Sequence, residues 1–163
     1  MASEWVMYLS VIAIGVLTIA GVTLTFNAIN TNTLENTVEI GLNEIVSTVA
    51  SELKNVLELG LQTDPLTAVT INRSLDLPSE LSGHNYLVQF KILPSGKHWY
   101  IEAVDTIQDN TVVIFETTLP WRDVSLTSPD GLSLPLIQSN VGDQHYVCFL
   151  RNEGTQAFRI IIL

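Results

Sequence analysis

Apolar residues follow three successive patterns along this chain, and each predicts a different element. Residues 5–29, WVMYLSVIAIGVLTIAGVTLTFNAI, hold no charged side chain, and their few polar ones are mostly Ser and Thr. At the helical rise such a stretch spans about 37 Å, against a hydrocarbon core of about 30 Å, which predicts a membrane-spanning helix. From residue 29 to 61 the apolar positions Leu34, Val38, Leu42, Ile45, Val49, Leu53, Val56 and Leu57 recur mostly at steps of three and four, with Glu35, Glu39, Glu44, Glu52 and Lys54 elsewhere. That period predicts an amphipathic helix, closed by Gly60 and then Asp64-Pro65.

Beyond Pro65 the pattern turns to alternation. Residues 86–92 and 99–104 flank Leu93-Pro94-Ser95-Gly96 and predict a β-hairpin; residues 112–117 follow the turn at Asp109-Asn110. Residues 146–150 and 158–163, joined through Arg151-Asn152-Glu153-Gly154, predict a second hairpin, and residues 67–71 add a strand before these. The segment 121–142, with Pro129-Asp130-Gly131, Pro135 and Gly142, reads as loop with one short strand. Six or seven short strands suggest an antiparallel sandwich or barrel. The fold class expected is therefore α+β, a long N-terminal helix passing from apolar to amphipathic, followed by that β head. Its parts are residues 1–29 as apolar helix, 30–61 as amphipathic stalk helix and 62–163 as head, with the stalk packing its apolar face onto one sheet.

The junction carries its own signal. Residues 27–36 hold four asparagines and several threonines, poor helix formers that favour a kink or local melting. Residues 4–61 then form either one rod of about 87 Å, bent at this patch, or two helices joined by a polar hinge; the single rod is the favoured reading.

Charge and cysteine usage narrow the classes. The 163 residues carry 17 acidic and 7 basic side chains, a net charge of −10. No stripe of Lys and Arg exists to neutralise phosphates, so nucleic acid is excluded as a partner. A lone cysteine, Cys148, makes no internal disulfide and reads as a small buried hydrophobe. A cleaved secretory signal competes with the anchor, but Met1-Ala2-Ser3-Glu4 lacks Lys and Arg, the apolar run is long for such a signal, and Thr18-Ile19-Ala20 makes a poor cleavage box. Trp5 and Tyr8 place amphipathic rings at one end of the helix, as a headgroup region favours. The first basic residue is Lys54, so orientation rests on the acidic, Thr- and Asn-rich body, which favours an extracytoplasmic head.

Residues with the spacing of a catalytic or metal site are sparse. His84, His98 and His145 each lie in or beside a predicted turn, without metal-ligand spacing, and read as solvated loop residues. Asp105 and Asp109 lack the glycine and bidentate Glu of a calcium loop. No nucleophile elbow, phosphate-binding glycine loop or paired Cys motif is present, so neither an enzyme nor a cofactor is expected. Asn72-Arg73-Ser74 is an N-glycosylation acceptor sequence. Glu4, beside the apolar run, either meets the helix dipole at headgroup level or pairs with the terminal amine of a neighbouring subunit.

A short polar tip, Ser3-Glu4-Trp5-Val6 entering an apolar helix, an amphipathic continuation through Leu61 and a β-rich head resemble type IV pilin-like proteins, especially archaeal ones. The stretch LDLPSELSGHNYLV, residues 75–88, is similar to a segment that leads into a head strand in archaeal pilin-like proteins. The resemblance implies a filament whose core is made of packed apolar helices, residues 1–29 here, with heads outside. Glu4 would match the acidic residue near the mature N-terminus, with Trp5 beside it, and Gly15, Ala20 and Gly21 would allow close helix approach. The basic leader and peptidase site of a prepilin are not in this sequence, which leaves a mature subunit or an uncleaved accessory protein of the archaellum kind. The partners implied are copies of the chain or related pilin-like subunits, the membrane, and an S-layer or other envelope protein. The alternative function is a membrane-anchored accessory or binding module whose head grips an envelope component.

Overall fold

The computed structural model describes residues 2–64, 67–92, 98–107, 112–120, 124–130, 133–139, 144–153 and 158–162. One helix, α1 (Ala2–Leu61), is followed by β1 (Val69–Leu75), β2 (Tyr86–Ile92), β3 (His98–Asp105), β4 (Val112–Pro120), β5 (Val124–Thr127), β6 (Leu136–Gln138), β7 (His145–Arg151) and β8 (Phe158–Ile162). The chain divides into two compact units, Met1–Thr37 and Val38–Leu163.

The first unit is helix alone. The Asn- and Thr-rich patch 27–36 is α-helical throughout, in keeping with the single continuous helix favoured from sequence. Every Ser and Thr between residues 10 and 37 turns its hydroxyl back along the helix. Ser10, Thr18, Thr23, Thr25, Thr31, Thr33 and Thr37 each donate to the carbonyl four residues earlier, at 2.7–3.0 Å. A hydroxyl bonded this way leaves the backbone ladder intact and needs no water.

The second unit holds the core. On its part of α1, Val38, Leu42, Ile45, Val46, Val49, Leu53, Val56 and Leu57 are buried, following the 3.6-residue period. Leu34, expected on this face, belongs to the first unit and is exposed. The buried face does not serve one sheet only: its residues join a single cluster with Val88, Phe90 and Ile101 of one sheet and Val147, Phe149 and Ile160 of the other. At about 1.5–3 kcal/mol per large apolar side chain, this shared cluster is the main favourable term for the unit.

The strands form two four-stranded sheets, ordered β1-β7-β8-β5 and β4-β3-β2-β6. The expected β2–β3 hairpin pairs Tyr86 with Asp105 through Ile92 with Trp99, and β7 pairs antiparallel with β8. The segment 121–142 departs from expectation, contributing two strands, β5 and β6. β6 adds to β2 and β5 pairs with β8 in parallel, so among the described residues one sheet is antiparallel and the other mixed. The Trp99 indole N–H donates to the Val124 carbonyl at 3.3 Å, bonding one sheet to the other. The predicted turn residues 93–96, 109–110, 131, 142 and 154 lie outside the described residues, as do Pro65 and the final residue of the last predicted strand.

Between β1 and β2 a tight turn runs from Leu81 to His84. Their backbones exchange two hydrogen bonds of 2.8 Å around Ser82 (φ +51°) and Gly83 (φ +82°), the two positive φ values of a type I′ turn. The turn sets the Leu81 side chain against Gly41 of α1, where a Cβ would lie 2.7 Å from its Cδ2.

Candidate functional site

In the first unit, the expected assembly residues Glu4, Trp5, Gly15, Ala20 and Gly21 are all exposed, Trp5 at 73%. Glu4 sits in the first turn of α1, where its charge complements the helix N-terminus. An added Cβ at Gly15 or Gly21 would meet nothing within 4 Å. At about 100° per residue, Glu4 and Gly15 point within about 20° of each other. Gly21 is turned about 100° from Glu4 on the same reckoning, and Ala20 about 160°. The helix therefore does not gather the five on one face.

Shallow concavities mark its surface. Glu4, Trp5, Met7, Tyr8, Val11 and Ile12 line one. Gly21 lies in another, between Leu17, Thr18, Val22, Thr25, Phe26 and Ile29. An 18-residue window of the helix reaches a mean hydropathy of 2.2 with none of it buried. Membrane anchors and signal sequences both have this length and composition.

In the second unit, Asn72 stands on β1, an edge strand, with its side chain exposed. The histidines are not the solvated loop residues expected from sequence. His84 Nδ1 lies 2.8 Å from Asp105 Oδ2, and Asp105, 1% exposed, also accepts the Ile107 N–H at 2.9 Å. His98 begins β3 with its Nδ1 buried and unbonded, and His145 begins β7. Tyr86, buried at the start of β2, donates its phenol to the Pro78 carbonyl, and burial pushes its pKa up to about 12. Burial also raises the Cys148 thiol, which keeps it protonated and blunts it as a nucleophile. The Lys91 ammonium bonds to Glu102 across the strands, which raises its pKa.

One highly connected polar side chain among the described residues was not singled out by the sequence. Arg151, at the end of β7, is buried and directs its guanidinium at the C-terminus of α1. Nη1 donates to the Gly60 carbonyl at 3.2 Å, while Nη2 reaches the Asp64 carbonyl at 2.5 Å, Thr63 Oγ1 at 2.8 Å and the Thr67 carbonyl at 3.3 Å. The last turn of α1 has no basic residue of its own, so Arg151 supplies the cation that the carbonyl end of a helix favours, sharing the Gly60 carbonyl with the Thr63 hydroxyl.

A cleft of mixed lining opens between Ser74, Asp76, Leu77, Pro78, Ser139 and His145. Among the described residues no three His, Cys, Asp or Glu side chains gather as a metal site would require. Set against known protein families, curated proteins and solved structures, the chain finds no match.

Proposed function

We propose that this chain is a type IV pilin-like structural subunit of the archaeal kind, held in a membrane by residues 5–29 and able to exchange lipid for the helices of other copies. The head stands outside the cytoplasm and forms the outer surface of the filament. The observation that carries the reading is the first unit: apolar through residue 29, exposed on every side, with every hydroxyl from residue 10 to 37 bonded to its own helix. Such a helix suits surroundings without water, which lipid and neighbouring apolar helices both provide. The spread of Glu4, Gly15, Ala20 and Gly21 around the helix favours contact with several neighbours over a single dimer stripe.

The test is fractionation of cells making the full chain. Shearing should release it as fibres, and Glu4→Ala should cut the sheared fraction severalfold while leaving membrane insertion unchanged. A chain recovered only as a detergent-extracted monomer defeats the filament reading. Glu4→Ala with unchanged assembly removes Glu4 from it.

A further inference from the structure

We propose that Asn72 is the acceptor of an N-linked glycan whose first sugar rests on the ring of Tyr146. The proposal relies on the head lying outside the cytoplasm, as in the function proposed above. Asn72-Arg73-Ser74 is the chain's single Asn-x-Ser/Thr tripeptide. Strand β1 carries it at the edge of its sheet, with only β7 beside it among the described residues. Alternate β1 residues point the same way, and Thr70, Asn72 and Ser74 are all exposed on the outward face, while Leu75 turns into the core. Both the carboxamide and the Ser74 hydroxyl that defines the acceptor are therefore open, and a large substituent on Asn72 displaces no core atom.

The neighbouring strand adds the second observation. In the antiparallel register Asn72 faces Cys148 and Ser74 faces Tyr146, so Tyr146 lies on the same outward face, diagonal to Asn72. Diagonal positions are about 7–8 Å apart, within reach of an aromatic side chain. Tyr146 is 37% exposed, and its hydroxyl donates to Gln144 Oε1 at 2.7 Å, which holds the ring at the surface. An exposed ring of this kind offers an apolar face to the C–H side of a sugar, with its polar edge still solvated.

The donor is a lipid-linked oligosaccharide, transferred by a membrane oligosaccharyltransferase. The Asn72 Nδ2 forms a bond to the sugar C1 while the C1–O bond to the lipid phosphate breaks. The carboxamide loses one proton to a base of the transferase, and the lipid phosphate leaves with the bonding electron pair. No oxidant or reductant is involved.

The experiment uses full-length chain purified from the cells that make it, read by peptide mass spectrometry, beside a protease added outside those cells. A glycan mass is expected on the Asn72 peptide in more than half of the molecules. It should vanish in Asn72→Gln and Ser74→Ala and persist in Ser74→Thr. A head cut by external protease with Asn72 unmodified overturns the glycan alone. A head protected from external protease overturns the extracytoplasmic reading and this proposal with it. The glycosylated protein should melt a few degrees above Asn72→Gln, and Tyr146→Ala should abolish that difference. An undiminished difference in Tyr146→Ala overturns the sugar–ring contact.

Discussion

Gly21 and Gly60 are both glycines of α1, but a methyl group added at each would meet opposite surroundings. Beyond the helix's own backbone and the adjacent residues, a Cβ at Gly21 meets nothing within 4 Å, whereas at Gly60 the new carbon would lie 2.3 Å from Cζ of Phe149, a ring with no exposed surface. The same contrast holds for whole turns. From Val38 the helix keeps one face buried in a shared core, while residues 4–37 leave every side chain exposed. Helical propensity alone does not separate these stretches; their apolar pattern does, unbroken in residues 5–29 and confined to one face from Val38. The second stretch has its apolar face covered within its own unit, and that decides where a substitution damages folding.

The sharpest way to test the contrast is at the Arg151 cap. Replacing it by Met keeps the stem length but leaves carbonyls at Gly60, Thr63, Asp64 and Thr67 without their cationic donor. Charged hydrogen bonds contribute about 1.5–3 kcal/mol each, and part of this set faces water, so a loss on the order of 3–5 kcal/mol is expected by urea denaturation. Gly60→Ala should come next. Alanine favours helix by about 1 kcal/mol, but the enclosed Phe149 ring must move, and overpacking of this kind costs about 1–3 kcal/mol. A net gain in stability at Gly60 would mean that the close packing assigned to this end of the helix is wrong.

Much of this division could be read from the residues, and the exceptions share a cause. The period of three and four through Leu57 and the alternation in residues 86–92 are local signals, and the structure follows them. The buried face begins at Val38 rather than Leu34, because a stripe shows which positions are apolar but not where the chain provides something to cover them. Arg151 bonds to Gly60 across 91 positions and His84 to Asp105 across 21, separations at which no spacing rule operates. β5 was obscured for a related reason: its partner β8 runs parallel to it and arrives late in the chain, so no hairpin signal links them. The assembly residues proposed for the first unit were chosen from an apolar run containing small residues. Their distribution around the helix followed only from helical geometry.

An intermediate effect distinguishes the head by its response to pH. The Tyr86 phenol titrates near 12 in the folded head and near 10 in an ordinary setting, so its protonated form is favoured by folding. A raised acid pKa contributes stability that is complete below pH 10 and is lost as pH climbs toward 12. Ionisation would also remove the donor that Tyr86 offers to the Pro78 carbonyl. Tyr86→Phe should therefore be less stable than the parent at neutral pH, with the gap narrowing between pH 10 and 12 by up to about tenfold in the unfolding constant per pH unit. Parallel pH curves for the two proteins would show that this phenol is not held protonated by its burial.

The smallest folding effect is expected at Gly21, and its smallness is informative. Beyond the helix's own backbone and the adjacent residues, a Cβ added at Gly21 meets nothing within 4 Å, so Gly21→Leu should leave the melting of the head within about 0.5 kcal/mol of the parent. Membrane insertion should be equal or better, since leucine is more apolar. Yet the concavity bounded by Leu17, Thr18, Val22, Thr25 and Phe26 would be filled, and a neighbouring helix could no longer approach at that point. If copies of the chain pack through this surface, the fraction released by shearing should fall severalfold while head stability and membrane content stay constant. Gly15→Leu, on another side of the helix, extends the test: a loss at both positions means neighbours on more than one side. Should Gly21→Leu instead lower the melting of the head, the first unit would have a partner within its own chain, and the contrast with Gly60 would collapse.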